Sequence, residues 1–168
     1  MVIILIGPKG AGKSTIRKDL EKKGFSSVYM EALFAEFDPK KEHTVNKPSE
    51  KLRDLVYNTA LNRIIEQSKT KNVVFDGTGS SERFINFLNI LKKECDSLKV
   101  IYIKCNKKIA FKRTQTRNLN THRPFSKEYF DDIYKKCEIR KKIANIIINN
   151  NGNIEDLLKK SNNYIRSI

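Results

Sequence analysis

The sequence predicts an α/β domain: a parallel sheet with helices on both faces. Three observations predict it. Short apolar, β-rich runs alternate along the chain with longer segments of helical periodicity, which is the pattern of successive β-α-β units. The first run, Val2-Ile3-Ile4-Leu5-Ile6, carries no polar residue, as a strand buried on both faces requires. A glycine-rich segment, Gly7-Pro8-Lys9-Gly10-Ala11-Gly12-Lys13-Ser14-Thr15, follows that strand directly and runs into a helical pattern. Ligands of such sheets gather at the carboxyl ends of the strands, so this junction is the first place to look for a site.

Strands are expected at 2–6, 27–30, 72–76, 99–104 and 144–149, and helices at 12–23, 49–69, 81–95, 107–117, 126–143 and 154–165. Several boundaries have local causes. Gly24 follows Lys22-Lys23 and can close the first helix in the left-handed conformation. Pro48-Ser49 and Pro124-Phe125-Ser126 put turn and capping residues just before helices, and Asn153 can cap the last one. No repeat or linker divides the chain, so residues 1–168 read as one domain. Residues 31–48 are the least regular stretch and 114–125 form a polar connection containing arginine. In a nucleotide-binding domain the first belongs to an acceptor-binding region, 31–70, and the second to a lid.

Composition narrows the class. The chain opens directly on its first strand, which predicts no leader segment, and no apolar run approaches the ~20 residues that span a bilayer. Cys95, Cys105 and Cys137 are scattered and odd in number, without metal-ligand spacing; they read as reduced thiols of a cytoplasmic protein. His43 and His122 are isolated in polar stretches and read as surface residues. The formal net charge is +15, and residues 104–142 hold thirteen Lys/Arg against four Asp/Glu. Such a field suits anionic ligands: nucleotides, phosphorylated metabolites or nucleic acid. It is equally the mark of lysines spread over solvated faces.

The glycine-rich segment is a complete G-x-x-x-x-G-K-[ST] motif between a strand and a helix. Gly7, Gly10 and Gly12 allow backbone N–H groups to turn inward around a polyphosphate, and Pro8, Lys9, Ala11 and Thr15 complete the cradle. The helix that opens near Gly12 adds its positive end. Lys13 supplies a point charge for the β- and γ-phosphates, and the Ser14 hydroxyl is a ligand for Mg²⁺. Asp76 ends the apolar strand Val73-Val74-Phe75 and would enter the same crevice as a metal-holding carboxylate, while Gly77 and Gly79, around Thr78, allow a substrate to approach the backbone. Arg113 and Arg117 share a helix face and Arg123 precedes Pro124; arginines suit the charge on a transferring phosphoryl group or stack on a base. For the acceptor, Glu31 directly after the second strand is the candidate orienting carboxylate, and Arg53 could hold an anionic group.

With these residues in hand, the chain resembles the small P-loop kinases, shikimate kinase and the nucleoside monophosphate kinases among them. The resemblance implies a three-layer sandwich on a five-stranded parallel sheet in the order 2-3-1-4-5, with a lid. It also implies an ATP- and Mg²⁺-dependent kinase, a monomer or weak homodimer, acting on a small anionic metabolite or nucleotide. Lys112-Arg113-Thr114 resembles the adenine-contacting arginine site of shikimate kinases, Arg123-Pro124-Phe125 resembles their lid, Gly77-Thr78-Gly79 falls at their three-glycine substrate loop and Arg53 near their carboxylate-binding arginine. Arg140-Lys141 stands where that family has a Tyr-Arg pair, and Glu31 alone stands near its Asp-x-Asp. Asp76-Gly77 matches the Asp-Gly of monophosphate kinases, and the stretch from Asp76 to Arg83 also resembles polynucleotide 5′-kinases. Two alternatives therefore stand beside the small-molecule kinase: a 5′-hydroxyl polynucleotide kinase, and a nucleotide-dependent switch without a small acceptor.

Overall fold

The computed structural model describes residues 1–38, 48–116 and 126–167. Five strands form one parallel sheet: β1 (Val2–Ile6), β2 (Ser26–Tyr29), β3 (Val73–Asp76), β4 (Leu98–Lys104) and β5 (Ile146–Asn149), in the order β2-β3-β1-β4-β5. The helices are α1 (Lys13–Lys22), α2 (Met30–Phe37), α3 (Glu50–Ser68), α4 (Arg83–Glu94), α5 (Lys107–Gln115), α6 (Lys127–Ile139) and α7 (Ile154–Arg166), with a 3-10 turn at Arg140–Ile143. Parallel neighbours need a crossover, and helices supply them.

The period of two in each strand splits the core into two layers. Val2, Ile4 and Ile6 of β1 join Val73 and Phe75 of β3 and Val100 and Tyr102 of β4 under Val56 and Ile64 of α3 and Phe84, Phe87 and Leu91 of α4. Ile3 and Leu5 point the other way, with Val74, Ile101 and Ile103, under Ile16 and Leu20 of α1, Ala110 of α5 and Leu157 of α7. Helix α6 reaches both layers, through Phe130 on one side and Ile133 and Cys137 on the other. The place of β1 at the centre of the sheet, covered on both faces, explains its unbroken apolar run.

Gly24 takes φ 88° after α1, and Ser49, Ser126 and Asn153 each accept a backbone N–H of the helix they precede. Two expectations are corrected. The irregular stretch assigned to 31–48 begins as a helix: Met30, Leu33, Phe34 and Phe37 recur at one helical face and pack into the layer under α3. The single helix expected over 126–143 ends at Ile139 and tightens into the 3-10 turn, so that Arg140 can donate to the backbone of residues 79 and 81. The three cysteines are free and buried. Among the described residues no helix is long and apolar enough to cross a membrane.

Candidate functional site

The sheet register brings the site together. Leu5 pairs with Asp76, and Asp76 with Tyr29, so the carboxyl ends of β1, β3 and β2 stand side by side. The glycine-rich loop rises from the first of them. A side chain at Gly10, whose φ is 79°, would place Cβ 2.2 Å from the Ala110 carbonyl oxygen. At Gly12, with φ 100°, it would stand 2.4 Å from Asn150 Nδ2. The loop is thus clamped between α5 and the segment after β5, which only glycine permits there.

Helix α1 starts on Gly12 without a side-chain cap, whereas α3, α5, α6 and α7 each have one. Its first-turn N–H groups and positive end face the loop, the geometry that receives phosphate. Lys13 is buried to 8% exposure and folds back over the loop, with Nζ donating to the carbonyl oxygens of Gly7 and Pro8 at 3.0 Å each. Ser14 Oγ donates to Asp76 Oδ2 at 2.9 Å. These two side chains come from distant parts of the chain and offer hard oxygen donors in one place. Among the described residues no cluster of three His, Cys, Asp or Glu could form a metal cage. Two protein oxygens fit Mg²⁺, which keeps waters and takes phosphate oxygens as its remaining ligands.

The segment after β3 is held from three sides. Gly77 N donates to Leu5 O at 3.2 Å, Gly7 N donates to Thr78 O at 3.3 Å, and Thr78 Oγ1 lies 2.8 Å from Ser80 Oγ. Arg140 Nε donates to Gly79 O at 3.1 Å and Cys137 Sγ to Thr78 O at 3.3 Å. Burial pushes the Cys137 thiol up to about 12. Beyond this segment lies a basic face. Burial raises the Tyr57 hydroxyl above its ordinary value, opposed by a hydrogen bond with Ser81 and by the charges of Arg83, Arg140 and Arg53. The charges of three guanidiniums thus reach one tyrosine, and Glu50 and Asp54 pair with two of them. Arg83 Nε and Nη2 reach Asp54 at 2.5 Å and Glu50 at 2.6 Å, and the Arg83 hydrogen bond holds the Asp54 carboxyl below its usual range.

The sequence-derived candidates fall in different places. Gly7 to Thr15, with Asp76 and residues 77–79, come together at the strand ends. Arg53 joins the basic face half-buried, bonded to Glu50 and, through Nε, to Pro48 O at 3.1 Å. Glu31 lies exposed in the first turn of α2, just past the end of β2. Arg113, on the last turn of α5, donates to Asn150 O at 3.0 Å and Gly152 O at 2.8 Å, so it braces the β5–α7 connection beside the loop. Arg117, Arg123, His43 and His122 lie outside the described residues, as do most of 114–125 and part of 31–70.

Sequence reasoning missed Arg17, Tyr29 and Asn150. Arg17 Cζ sits 4.0 Å over the Tyr29 ring and Nε lies 3.7 Å from Asp76 Oδ2. Its signal was Arg17 and Glu21 four apart on α1, on the side that Ile16 and Leu20 bury. Asn150 Nδ2 donates to Ala11 O at 2.7 Å; nothing in the asparagine-rich run around it singles it out.

A family model described as an AAA domain matches residues 3–141. A curated dephospho-CoA kinase from Fusobacterium nucleatum is 27% identical over 203 residues, covering 100% of this chain and 98% of its own. Among solved structures, shikimate kinase from Aquifex aeolicus superposes with a TM-score of 0.71 at 16% identity, over 99% of this chain and 97% of that one. Deoxyadenosine kinase from M. mycoides does so with 0.65 at 19% identity, over 100% of both chains. At such identities the structural likeness speaks to the fold, which is that of the P-loop kinases. By the match over residues 3–141, the chain belongs to the AAA domain family of P-loop proteins.

Proposed function

We infer that this protein is an ATP- and Mg²⁺-dependent kinase that transfers the γ-phosphoryl group to a small anionic metabolite or nucleotide. The observation that carries the reading is the Ser14–Asp76 pair beside the uncapped start of α1 and the Lys13 ammonium. Phosphate groups, a divalent cation and a basic acceptor face then share one crevice. The names of the relatives support a kinase, and the curated relative adds dephospho-CoA to the candidate acceptors.

Backbone amides of residues 9–15 bind the phosphates, and Lys13 leaves its two carbonyl partners to meet the β- and γ-oxygens. Ser14 and Asp76 would hold Mg²⁺, which supplies charge neutralisation between those phosphates when bound. Gly77, Thr78 and Gly79 form the wall against which the acceptor rests, with Arg53, Arg83 and Arg140 near it to attract its anionic group. Glu31 orients the acceptor, Arg113 borders the base, and Arg117 and Arg123 meet the transferring group. Catalysis in this scheme is positioning plus charge stabilisation. The protein works as one domain in the cytoplasm.

The test is ADP release from Mg·ATP across dephospho-CoA, shikimate, nucleosides, nucleoside monophosphates and a 5′-hydroxyl oligonucleotide. A small anionic acceptor should stimulate release, and Lys13→Ala should abolish that stimulation with an unchanged circular dichroism spectrum. Stimulation by the oligonucleotide alone, or undiminished turnover in Lys13→Ala, overturns the reading.

A further inference from the structure

Arg17 is a cation built into the wall of the crevice. It is 8% exposed, and its guanidinium is gripped at several points. Nη1 donates to Glu21, one turn along α1, and Ser27 Oγ donates to the same carboxylate from β2. The guanidinium plane is backed by the Tyr29 ring, 4.0 Å from Cζ to centroid. Nε lies 3.7 Å from Asp76 Oδ2, beyond hydrogen-bond length, and it is one of two buried side-chain polar atoms without a hydrogen-bond partner among the described residues. Ser14 Oγ donates to that same Oδ2. The carboxylate oxygen that engages the metal-binding hydroxyl thus already faces a fixed positive charge.

The geometry points to Arg17 as an internal counter-ion of Asp76 that keeps a divalent cation off the nucleotide-free protein. This rests on Ser14 and Asp76 being the magnesium donors. A cation arriving alone meets one hydroxyl, one carboxylate and a guanidinium of its own sign. Two protein oxygens do not replace the hydration shell that Mg²⁺ gives up reluctantly. A cation arriving with a triphosphate brings oxygen ligands and several negative charges, which outweigh the guanidinium. Tyr29 and Glu21 keep Arg17 from swinging aside to admit the bare ion. Lysine's compact ammonium would retain the charge but not the stack on the ring.

Electron paramagnetic resonance of Mn²⁺ added to nucleotide-free protein, with Mg²⁺ as competitor, tests this directly. The wild type should leave the free Mn²⁺ signal undiminished into the millimolar range. Arg17→Gln should acquire a Mg²⁺-displaceable site at least roughly tenfold tighter than any in the wild type, because a unit charge a few ångströms away is removed. Arg17→Lys, which keeps the charge without the stack, should give a smaller gain than Arg17→Gln, and Arg17→Gln combined with Asp76→Asn should lose the new site. A merely structural role would lower the melting temperature without creating a metal site. Arg17→Gln without metal binding overturns the counter-ion role, as does a new site that survives the loss of Asp76. Mn·ADP binding by Asp76→Asn alone separates the two failures: weakened binding leaves the metal assignment standing, and unchanged binding removes it. Should Arg17→Gln fail to fold, Tyr29→Leu frees the guanidinium to leave Asp76. It should give a weaker gain of the same sign, and no gain overturns the proposal.

Discussion

Asn150 ties the phosphate loop to the far half of the sheet. Its amide donates to Ala11 O at 2.7 Å and fills the space that a side chain on Gly12 would need, while its own N–H donates to Lys104 O. Removing it leaves a buried carbonyl unpaired, which costs about 1–3 kcal/mol. Asn150→Ala should lower stability in urea by that amount and weaken nucleotide binding by up to about tenfold, as seen in a fluorescent-nucleotide titration. Cys137 carries a pH prediction. Burial raises its thiol from an ordinary 9.0 to about 12 in the fold. Between those values the unfolded chain has lost the proton that the native state still holds, so stability is full below pH 9 and falls as pH rises. Burial and Glu138 raise Tyr102 as well, and it adds to the loss above pH 10. Urea melts from pH 8 to 11 should show a shallower decline in Cys137→Ala than in the wild type. Equal slopes would mean that Cys137 takes no part.

Most of the elements are legible in the sequence. The strands stand out as short apolar runs between helical segments, and capping by Ser49, Ser126 and Asn153 rests on local hydrogen bonds that composition announces. Helix α2 was not legible, because Glu31, Glu36 and Asp38 make its short segment look like a polar loop and no side chain caps its start. Its helical state comes from the tertiary layer beneath, where Leu33 is 2% exposed among residues of β2 and α3. A further tie is local to the surface: Arg63 of α3 reaches both oxygens of Glu36, at 2.9 and 2.6 Å. If packing rather than propensity holds α2, Leu33→Ala should cost about 2–5 kcal/mol, as other large-to-small core changes do. Glu36→Ala, which breaks only an exposed ion pair, should cost less than about 1 kcal/mol. Chemical denaturation of the two variants gives the comparison, and equal costs would contradict it. The phosphate loop was legible because its chemistry is contiguous. Arg17 was not, because its partners Tyr29 and Asp76 come from other strands and only the rotation of α1 buries it against them.

At the scale of the whole molecule the net charge of +15 fits, beside lysines spread over solvated faces, two ligand readings of the sequence, a nucleic-acid surface or a general attraction for small anions. The two part company with salt. A polyanion bound along a basic face releases counterions, so its affinity falls as a steep power of salt concentration, by about 10³–10⁵ between 50 and 200 mM for six to ten phosphate contacts. A small acceptor held in a crevice engages few charges, and distant lysines are screened beyond about 10 Å at 0.1 M salt. The ion pairs already made by Arg83, Arg63 and Lys136 further reduce the charge available to a long strand. Under the small-acceptor reading, raising NaCl from 50 to 200 mM should change kcat/KM for the best acceptor by less than about tenfold and leave kcat constant. Oligonucleotide binding followed by fluorescence anisotropy should collapse over the same range without the strand being phosphorylated. Phosphorylation of a 5′-hydroxyl oligonucleotide, with a salt dependence that tracks its binding, would transfer the assignment to the polynucleotide kinase alternative. The basic face around Tyr57 would then be the path of the strand.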